Sequence, residues 1–265
     1  MLVASSALAR LFGPARGAHF ERIRQSGQVP GPLFDYKVAG ILGCVAPYTM
    51  VHPTSVAFAI QEAARLAIEE HSGSIVECGS WRGGTSFAML LAQRAAVGRI
   101  VLPVYLLDSF EGLPPAEERD GPLALEWQSG AYPEWFFDNC LADESEVEKT
   151  ARRFGLSESE ACIRRGWFAE TIPKLASDLG PDSISLLRLD CDWYDSTRLC
   201  LEYLMPIVQV GAKVIVDDYY AWDGCARALH DWLSHHDHPY RIKSFYSNYG
   251  AFFMKSSARA SITDL

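Results

Sequence analysis

The sequence predicts an α/β fold, a doubly wound and mostly parallel sheet with an antiparallel hairpin at one edge. Short apolar runs alternate along the chain with segments that have helical spacing or are long enough for a crossover. This alternation is typical of parallel strands covered by helices on both faces. Three of the runs end in aspartate, at Asp108, Asp190 and Asp217. Ligands of such sheets bind beyond the carboxyl ends of the strands, so a functional site is expected there.

The composition limits the classes of protein to which this chain can belong. The 265 residues are 49% hydrophobic and 22% charged, which is ordinary for a globular chain able to bury a core. The formal net charge of −9 disfavours binding to nucleic acid or to anionic membranes. No apolar run approaches the ~20 residues of a membrane span. A small neutral or cationic ligand fits this charge better.

Cysteine usage favours a reducing, cytoplasmic location. The seven cysteines are scattered and have no CxxC spacing, so neither a disulfide framework nor a zinc site is indicated.

The first 47 residues differ from the rest and are interpreted as an arm or lid, with residues 48–265 forming the catalytic domain. A helix is predicted around Ala4–Leu11, followed by a loop over residues 27–32. Such an arm favours a homo-oligomer. Arg10 and Arg16, without nearby acidic residues, are also compatible with a transit peptide, and this alternative stays open.

The domain's elements follow in order. Helical spacing of Val56, Ile60 and Ile68 predicts a helix from Pro53 to near Gly73. Strands are predicted over residues 74–79, 99–107, 162–166, 183–189 and 212–216, helices over 87–93 and 144–154, and an irregular segment over 113–133. Two aromatic runs within residues 240–254 predict the edge hairpin.

A glycine-rich turn follows the first strand. Gly79, Gly83 and Gly84 do not have GxGxxG spacing, which disfavours the pyrophosphate loop of a nicotinamide-dependent oxidoreductase. Asp108 ends the second strand, where a carboxylate accepts both ribose hydroxyls of an adenosine-bearing cofactor. A simple turn with a capping aspartate is the alternative.

Five stretches, in this order along the chain, resemble the macrocin O-methyltransferase (TylF-like) family: residues 76–86, 107–114, 166–173, 187–197 and 214–219. The resemblance implies a class I methyltransferase that uses S-adenosylmethionine to methylate sugar hydroxyls of natural-product glycosides. It implies that Glu77 and Gly79 lie beside the methionine part of the cofactor, Asp108 at the ribose, and Trp167 and Phe168 near the adenine.

The resemblance also implies that Thr49 and Met50 close over the cofactor. The full set of expected cofactor-binding residues is Thr49, Met50, Glu77, Gly79, Ser80, Arg82, Thr85, Ser86, Asp108, Ser109, Gly166, Trp167, Phe168 and Asp190.

Two departures from the family pattern concern the acceptor end. Cys191 and Trp193 stand where glycine and leucine are expected. An insert, Leu123–Cys140, matches no part of the pattern. It carries five aromatic residues that either pack down or line an apolar acceptor pocket: Trp127, Tyr132, Trp135, Phe136 and Phe137.

A metal site is expected where Asp190, Asp217 and Asp218 end two neighbouring strands. Three unpaired carboxylates repel one another unless a cation joins them. Ligation by oxygen alone favours Mg²⁺ or another hard divalent ion, which would lower the pKa of an acceptor hydroxyl. The alternative is a group of solvated acids at strand ends.

The catalytic base is expected among the same acids. Related catechol-type methyltransferases are expected to have a lysine where this chain has Trp193. Asp190 is therefore the first candidate and Asp192 the second, with His52 or His230 as further alternatives. Tyr48 and Trp81 could face the sulfonium or pack, and packing is expected for Trp81.

Together these features predict an O-methyltransferase that depends on S-adenosylmethionine and a divalent metal. A nicotinamide-dependent oxidoreductase and a catalytically silent binding module are the alternatives.

Overall fold

A single seven-stranded sheet organises the computed structural model, which describes residues 36–131, 136–236, 240–245 and 250–256. The strands are β1 (Ser74–Cys78), β2 (Val104–Asp108), β3 (Ala161–Arg165), β4 (Ile184–Leu189), β5 (Val208–Val216), β6 (Lys243–Ser244) and β7 (Ala251–Met254). Their order across the sheet is β3-β2-β1-β4-β5-β7-β6.

Strand pairing confirms the predicted fold class. Five neighbouring strands pair in parallel, in the spatial order β3-β2-β1-β4-β5. Strand β7 runs antiparallel to both β5 and β6. The strand order reverses between β1 and β4, so the crevice at their carboxyl ends is the expected ligand site of such a sheet.

Helices cover both faces of the sheet. They are α1 (Tyr36–Val45), α2 (Pro53–Ile68), α3 (Gly84–Val97), α4 (Pro122–Gln128), α5 (Glu144–Arg153), α6 (Phe168–Leu179), α7 (Tyr194–Leu204) and α8 (Asp223–His235). Short 3-10 turns occupy Ala46–Tyr48, Glu118–Asp120, Phe137–Cys140, Met205–Ile207 and Asp217–Tyr220. None of the helices in the described ranges has the length and hydrophobicity that a membrane crossing requires.

The helices pack into two hydrophobic cores, one on each face of the sheet. In one core Ile75 and Leu186 of the sheet contact residues of α1, α2, α3 and α5. In the other, Val76 and Leu187 pack with residues of α6, α7 and α8. Because successive strand residues point to opposite faces, burial of both faces makes the central strands continuously apolar, which is why they were visible in the sequence.

Several boundaries differ from those expected. β2 begins at Val104 rather than Arg99, directly after Pro103, which has no N–H to donate to a neighbouring strand. β5 begins at Val208 because that residue pairs with Ile184 across a register shift. The segment 113–133 is not wholly irregular, since it contains α4.

The predicted N-terminal arm is described only from residue 36, and the helix expected at Ala4–Leu11 lies outside the described residues. α1 places Val38, Leu42 and Val45 in the first core, so this part packs with the domain. The division at residue 47 stays a prediction.

Candidate active site

The turn after β1 crosses closely over the end of β4. Gly79 has a φ of +85°, and a Cβ placed on it would lie 1.7 Å from the carbonyl oxygen of Asp190. A side chain cannot fit there, because both the conformation and the contact require glycine. This crossing brings the first glycine of the turn and the first aspartate after β4 together at the switch point of the sheet.

Asp108 ends β2 beside this crossing. Its carboxylate accepts hydrogen bonds from the backbone N–H groups of Trp81 and Phe110, each at 2.7 Å. Burial raises the pKa of Asp108 to about 6, although the two backbone hydrogen bonds act in the opposite direction. Each carboxylate oxygen has two acceptor sites, so the group can still accept hydroxyl donors.

Six of the expected cofactor residues line one cavity: Gly79, Asp108, Ser109, Trp167, Phe168 and Asp190. Its volume is 50 Å³, well below the roughly 300–1,000 Å³ of ordinary small-molecule pockets. Leu113 and Cys140 also line it. Leu113 is held to Asn139 by hydrogen bonds of 3.0 and 2.8 Å, so the loop after β2 and the insert close the cavity together.

The other expected cofactor residues are not part of the lining of this cavity. Thr49 Oγ1 is 3.4 Å from Thr85 Oγ1 at the start of α3, and Met50 is exposed. The hydroxyl of Ser80 is buried and has no hydrogen-bond partner within the described part of the chain. Gly166 donates its backbone N–H to the carbonyl oxygen of Asp108 at 2.9 Å.

Trp81 and Arg82 pack on one another. The Arg82 guanidinium lies 4.4 Å from the Trp81 ring centroid, and that ring also contacts Phe137 edge-on. These contacts agree with the packing role expected for Trp81. Tyr48 packs similarly, edge-on against Phe154.

A fully buried arginine, which the sequence analysis missed, joins the ends of three strands. Arg188 Nη1 lies 2.6 Å from Glu77 Oε1 and 2.7 Å from Asp190 Oδ2, and its Nη2 lies 2.8 Å from Asp217 Oδ1. The other oxygen of Glu77 accepts a hydrogen bond from the Ser86 hydroxyl. The expectation of three unpaired carboxylates is therefore wrong for Asp190 and Asp217. A single arginine inside the apolar run of β4 was the available signal.

One arginine does not neutralise the acids that meet at this edge. Asp190, Asp217 and Asp218 each offer a carboxylate oxygen, and these atoms all lie within 4.8 Å of one another. Burial, together with neighbouring carboxylates, raises the pKa of Asp217 to about 7 and that of Asp218 well above its ordinary value. Asp217 Oδ1 has no aligned hydrogen bond within the described residues. An all-oxygen, charge-excess donor set of this kind fits Mg²⁺.

Asp192 stands apart from the arginine. It is half-buried and has a φ of +57°, and its backbone N–H donates to Asp218 Oδ2 at 3.1 Å. Its own Oδ1 accepts a hydrogen bond of 2.8 Å from the indole N–H of Trp222. Burial and then the charge of Asp190 raise the pKa of Asp192 to about 7.

The two candidate histidines have structural contacts. His52 Nδ1 accepts a hydrogen bond from Thr54 N at the start of α2. His230 Nε2 lies 2.9 Å from the Tyr219 hydroxyl and is exposed.

The insert packs down on the loops that carry the acids. Trp127 of α4 lies edge-on to Trp193 and Trp222, with ring centroids 6.2 and 6.0 Å apart. Buried Asp120 accepts a hydrogen bond of 2.7 Å from Tyr194 N, the first residue of α7. Tyr132 and Trp135 lie outside the described residues. Sequence analysis missed Asp120 and Trp222, because only the fold brings them to this site.

Comparison with known proteins agrees with this geometry. Residues 43–255 match the family model described as Macrocin-O-methyltransferase (TylF). The chain belongs to the macrocin O-methyltransferase family. The match covers all seven strands of the sheet and every acidic residue of the candidate site.

The chain is similar to enzymes whose names specify natural products. It is 34% identical over 164 residues to 8-demethyl-8-(2,3-dimethoxy-alpha-L-rhamnosyl)-tetracenomycin-C 4'-O-methyltransferase of Streptomyces olivaceus, covering 60% of this chain and 58% of the relative. It is 32% identical over 169 residues to demethyldecarbamoylnovobiocin O-methyltransferase of Streptomyces niveus, covering 62% and 60%. The chain thus spans about three fifths of these relatives. The structure of the O-methyltransferase NovP is similar with a TM-score of 0.66, 26% identity, and coverage of 79% of this chain and 83% of that one.

Proposed function

We propose that the protein is an S-adenosylmethionine-dependent O-methyltransferase that acts on a sugar hydroxyl of a natural-product glycoside. The observation that carries the proposal is the meeting of Gly79, Asp108 and Asp190 in one cavity at the switch point of the sheet. Membership of the macrocin O-methyltransferase family supports the reaction type.

The cofactor would lie across the ends of β1 and β2. Asp108 would accept the two ribose hydroxyls, and the rings of Trp167 and Phe168 would flank the adenine. Near the methionine part, the close crossing at Gly79 admits backbone contact and the unpartnered hydroxyl of Ser80 offers a hydrogen bond. The glycine spacing continues to disfavour a nicotinamide cofactor.

Asp190, Asp217 and Asp218 would hold a hard divalent cation. Such an ion, when bound, supplies positive charge that lowers the pKa of an alcohol. The role of this chain's residues is to fix the three carboxylates, and Arg188 does so for two of them.

Asp192 is a better candidate for the base than Asp190, which reverses the order expected from the sequence. Asp190 is bound to Arg188 and belongs to the acid trio. Among the described residues the Asp192 carboxylate forms no ion pair with that guanidinium, and Asp192 contacts the trio through its backbone N–H, which donates to Asp218. The acceptor oxygen would attack the methyl carbon, the carbon–sulfur bond would break, and the hydroxyl proton would pass to Asp192.

The name of the Streptomyces olivaceus relative specifies a rhamnosyl-tetracenomycin, and that supports a glycoside as acceptor here. Docking of the insert beside Asp192 supports a role for its aromatic side chains in shaping the acceptor pocket. The homo-oligomer and the cytoplasmic location stay predictions.

Methyl transfer from S-adenosylmethionine to a panel of rhamnosylated and other glycosides, measured by mass spectrometry with Mg²⁺ present, tests the proposal. Asp192→Asn should lower kcat by about 10²- to 10⁴-fold, the usual contribution of a general base, while leaving S-adenosylhomocysteine affinity unchanged. Binding of NAD without binding of S-adenosylhomocysteine would favour the oxidoreductase. Absence of transfer with every acceptor, together with a stable protein complex, would favour the binding module.

A further inference from the structure

The indole of Trp222 contacts the acid that the proposed reaction needs most. Its Nε1–H donates to Asp192 Oδ1 at 2.8 Å. A carboxylate can accept a proton through either oxygen, so a hydrogen bond to one oxygen commits the other to the acceptor. In the proposed reaction this bond would leave the other oxygen of Asp192 for the reacting hydroxyl.

The backbone of Asp192 does not determine the orientation of its carboxylate. Its φ of +57° and the hydrogen bond from its N–H to Asp218 fix the position of the backbone. They do not restrict rotation of the carboxylate. Terminal carboxylate torsions are broad and roughly two-fold. The hydrogen bond from the Trp222 indole to Oδ1 restricts this torsion.

Trp222 is itself held rigidly. Its ring contacts Trp193 at 5.1 Å and 72° and Trp127 at 6.0 Å and 66°, both edge-on. Its backbone N–H donates to the carbonyl oxygen of Asp218 at 3.0 Å. These contacts fix the position of the indole between the insert and the start of α8.

We propose that Trp222 is a positioning residue that orients the Asp192 carboxylate for proton removal from the acceptor. This inference rests on the proposed function. It also gives the insert a role in the chemistry, because Trp127 of α4 buttresses the indole from the side of the insert.

The test compares two tryptophans of the same cluster. Trp222→Phe removes the N–H donor and keeps a ring, and the loss of a hydrogen bond to a charged group should lower kcat about 10- to 100-fold. The KM for the glycoside and the affinity for S-adenosylhomocysteine should stay within twofold. Trp193→Phe is the matched control, since its indole donates to the carbonyl oxygen of Pro114 at 3.0 Å and not to an acid. Because Trp193 packs on Trp222 but donates nothing to Asp192, the kcat of Trp193→Phe should fall by less than that of Trp222→Phe.

A third variant separates positioning from packing. Trp222→His keeps a ring N–H but fills the cluster less than phenylalanine does. If the hydrogen bond matters, His should retain a higher kcat than Phe; if only packing matters, the order should reverse, and that order would overturn the inference. A thermal melt of each variant confirms that it is folded, and the His variant decides the question if Phe does not fold.

Asp192→Asn distinguishes a failure of the positioning role of Trp222 from a failure of the proposed function. If it keeps full activity, or if wild type transfers no methyl group, the proposed function or its base is wrong. If Asp192→Asn is inactive while Trp222→Phe keeps the wild-type kcat, the positioning inference alone is wrong.

Discussion

Arg188 is the residue on which the site's electrostatics depend. A guanidinium with no exposed surface lies within ion-pair distance of Glu77, Asp190 and Asp217, which belong to β1 and to the loops after β4 and β5. Burying a charge is unfavourable unless partners compensate it, and removing one partner leaves the others uncompensated. Arg188 therefore ties three strand ends together and holds two of the acids.

Replacing this arginine should destabilise the whole domain. Arg188→Met keeps length and volume but leaves buried acids without a cation, so the free energy of unfolding should fall by about 3–5 kcal/mol in urea titration. Arg99→Met is the control, because its ion pair with Glu70 is exposed (61% and 76%) and such pairs contribute about 0–1 kcal/mol. Equal losses in both variants would contradict the proposed role of the buried network.

Asp108 sets the cofactor affinity at the residue scale. Asp108→Ala removes a charged acceptor for two hydroxyls, each worth about 1.5–3 kcal/mol, so S-adenosylhomocysteine should bind at least tenfold more weakly in calorimetric titration. Unchanged affinity would mean that Asp108 only binds the backbone of Trp81 and Phe110.

The same aspartate predicts how cofactor affinity depends on pH. In the free protein the pKa of Asp108 is about 6. Hydroxyl donors favour the carboxylate, so the cofactor should bind fully above pH 6 and lose up to about tenfold in affinity per pH unit below it. Asp108→Asn should bind more weakly and lack this dependence. A wild-type slope that persists in the Asn variant would assign the pH dependence to another titratable group.

At the scale of elements, the turn after β1 makes a close backbone contact with the residue that follows β4. Gly79→Ala would place a methyl group 1.7 Å from the Asp190 carbonyl and separate the two strand ends. We expect loss of S-adenosylhomocysteine binding and a lower melting temperature. Gly98→Ala is a close control, because Gly98 has a similar φ of +79° but nothing within 4 Å of the added Cβ. In this control only the backbone conformation is strained. Similar effects in both variants would therefore contradict a specific role for the contact between Gly79 and Asp190.

Elements and their order could be predicted because their signals are local. Apolar strands ending in Asp108, Asp190 and Asp217 lie within single short runs, and parallel pairing then places their ends together. Arg188 had a local signal, as a charge between Leu187 and Leu189, but its partners are as far as 111 residues away.

The insert was harder to predict for the same reason. Asp120, in the 3-10 turn before the insert, accepts a hydrogen bond from the first residue of α7, 74 residues later, and Trp127 of the insert packs on Trp193 and Trp222. Such contacts depend on side-chain direction and on how loops pack, and no periodicity encodes either. Sequence reasoning offered packing or a pocket as alternatives for this segment, and the described aromatic side chains pack.

At the scale of the whole molecule, several helices begin at the edge of the sheet that carries the acid trio. The chain carries a net charge of −9, and α3, α6, α7 and α8 all start directly after or shortly beyond the carboxyl ends of strands. Helix N-termini carry partial positive charge, which favours anions nearby by about 0.3–1 kcal/mol each. This contribution and Arg188 reduce the repulsion among the clustered acids without removing it, as the raised pKa values of Asp217 and Asp218 indicate.

A divalent cation should therefore stabilise the entire fold. At 100 times its dissociation constant, Mg²⁺ would add about 2.7 kcal/mol, or roughly 5–10 °C in melting temperature, and EDTA should reverse the shift. KCl at the same ionic strength is the control for screening. Asp218→Asn keeps the side chain's size but removes one charge, so without metal it should melt higher than wild type, because repulsion is relieved. With Mg²⁺ it should gain less. Equal shifts with Mg²⁺ and KCl, or an undiminished Mg²⁺ shift in Asp218→Asn, would remove the metal from this site.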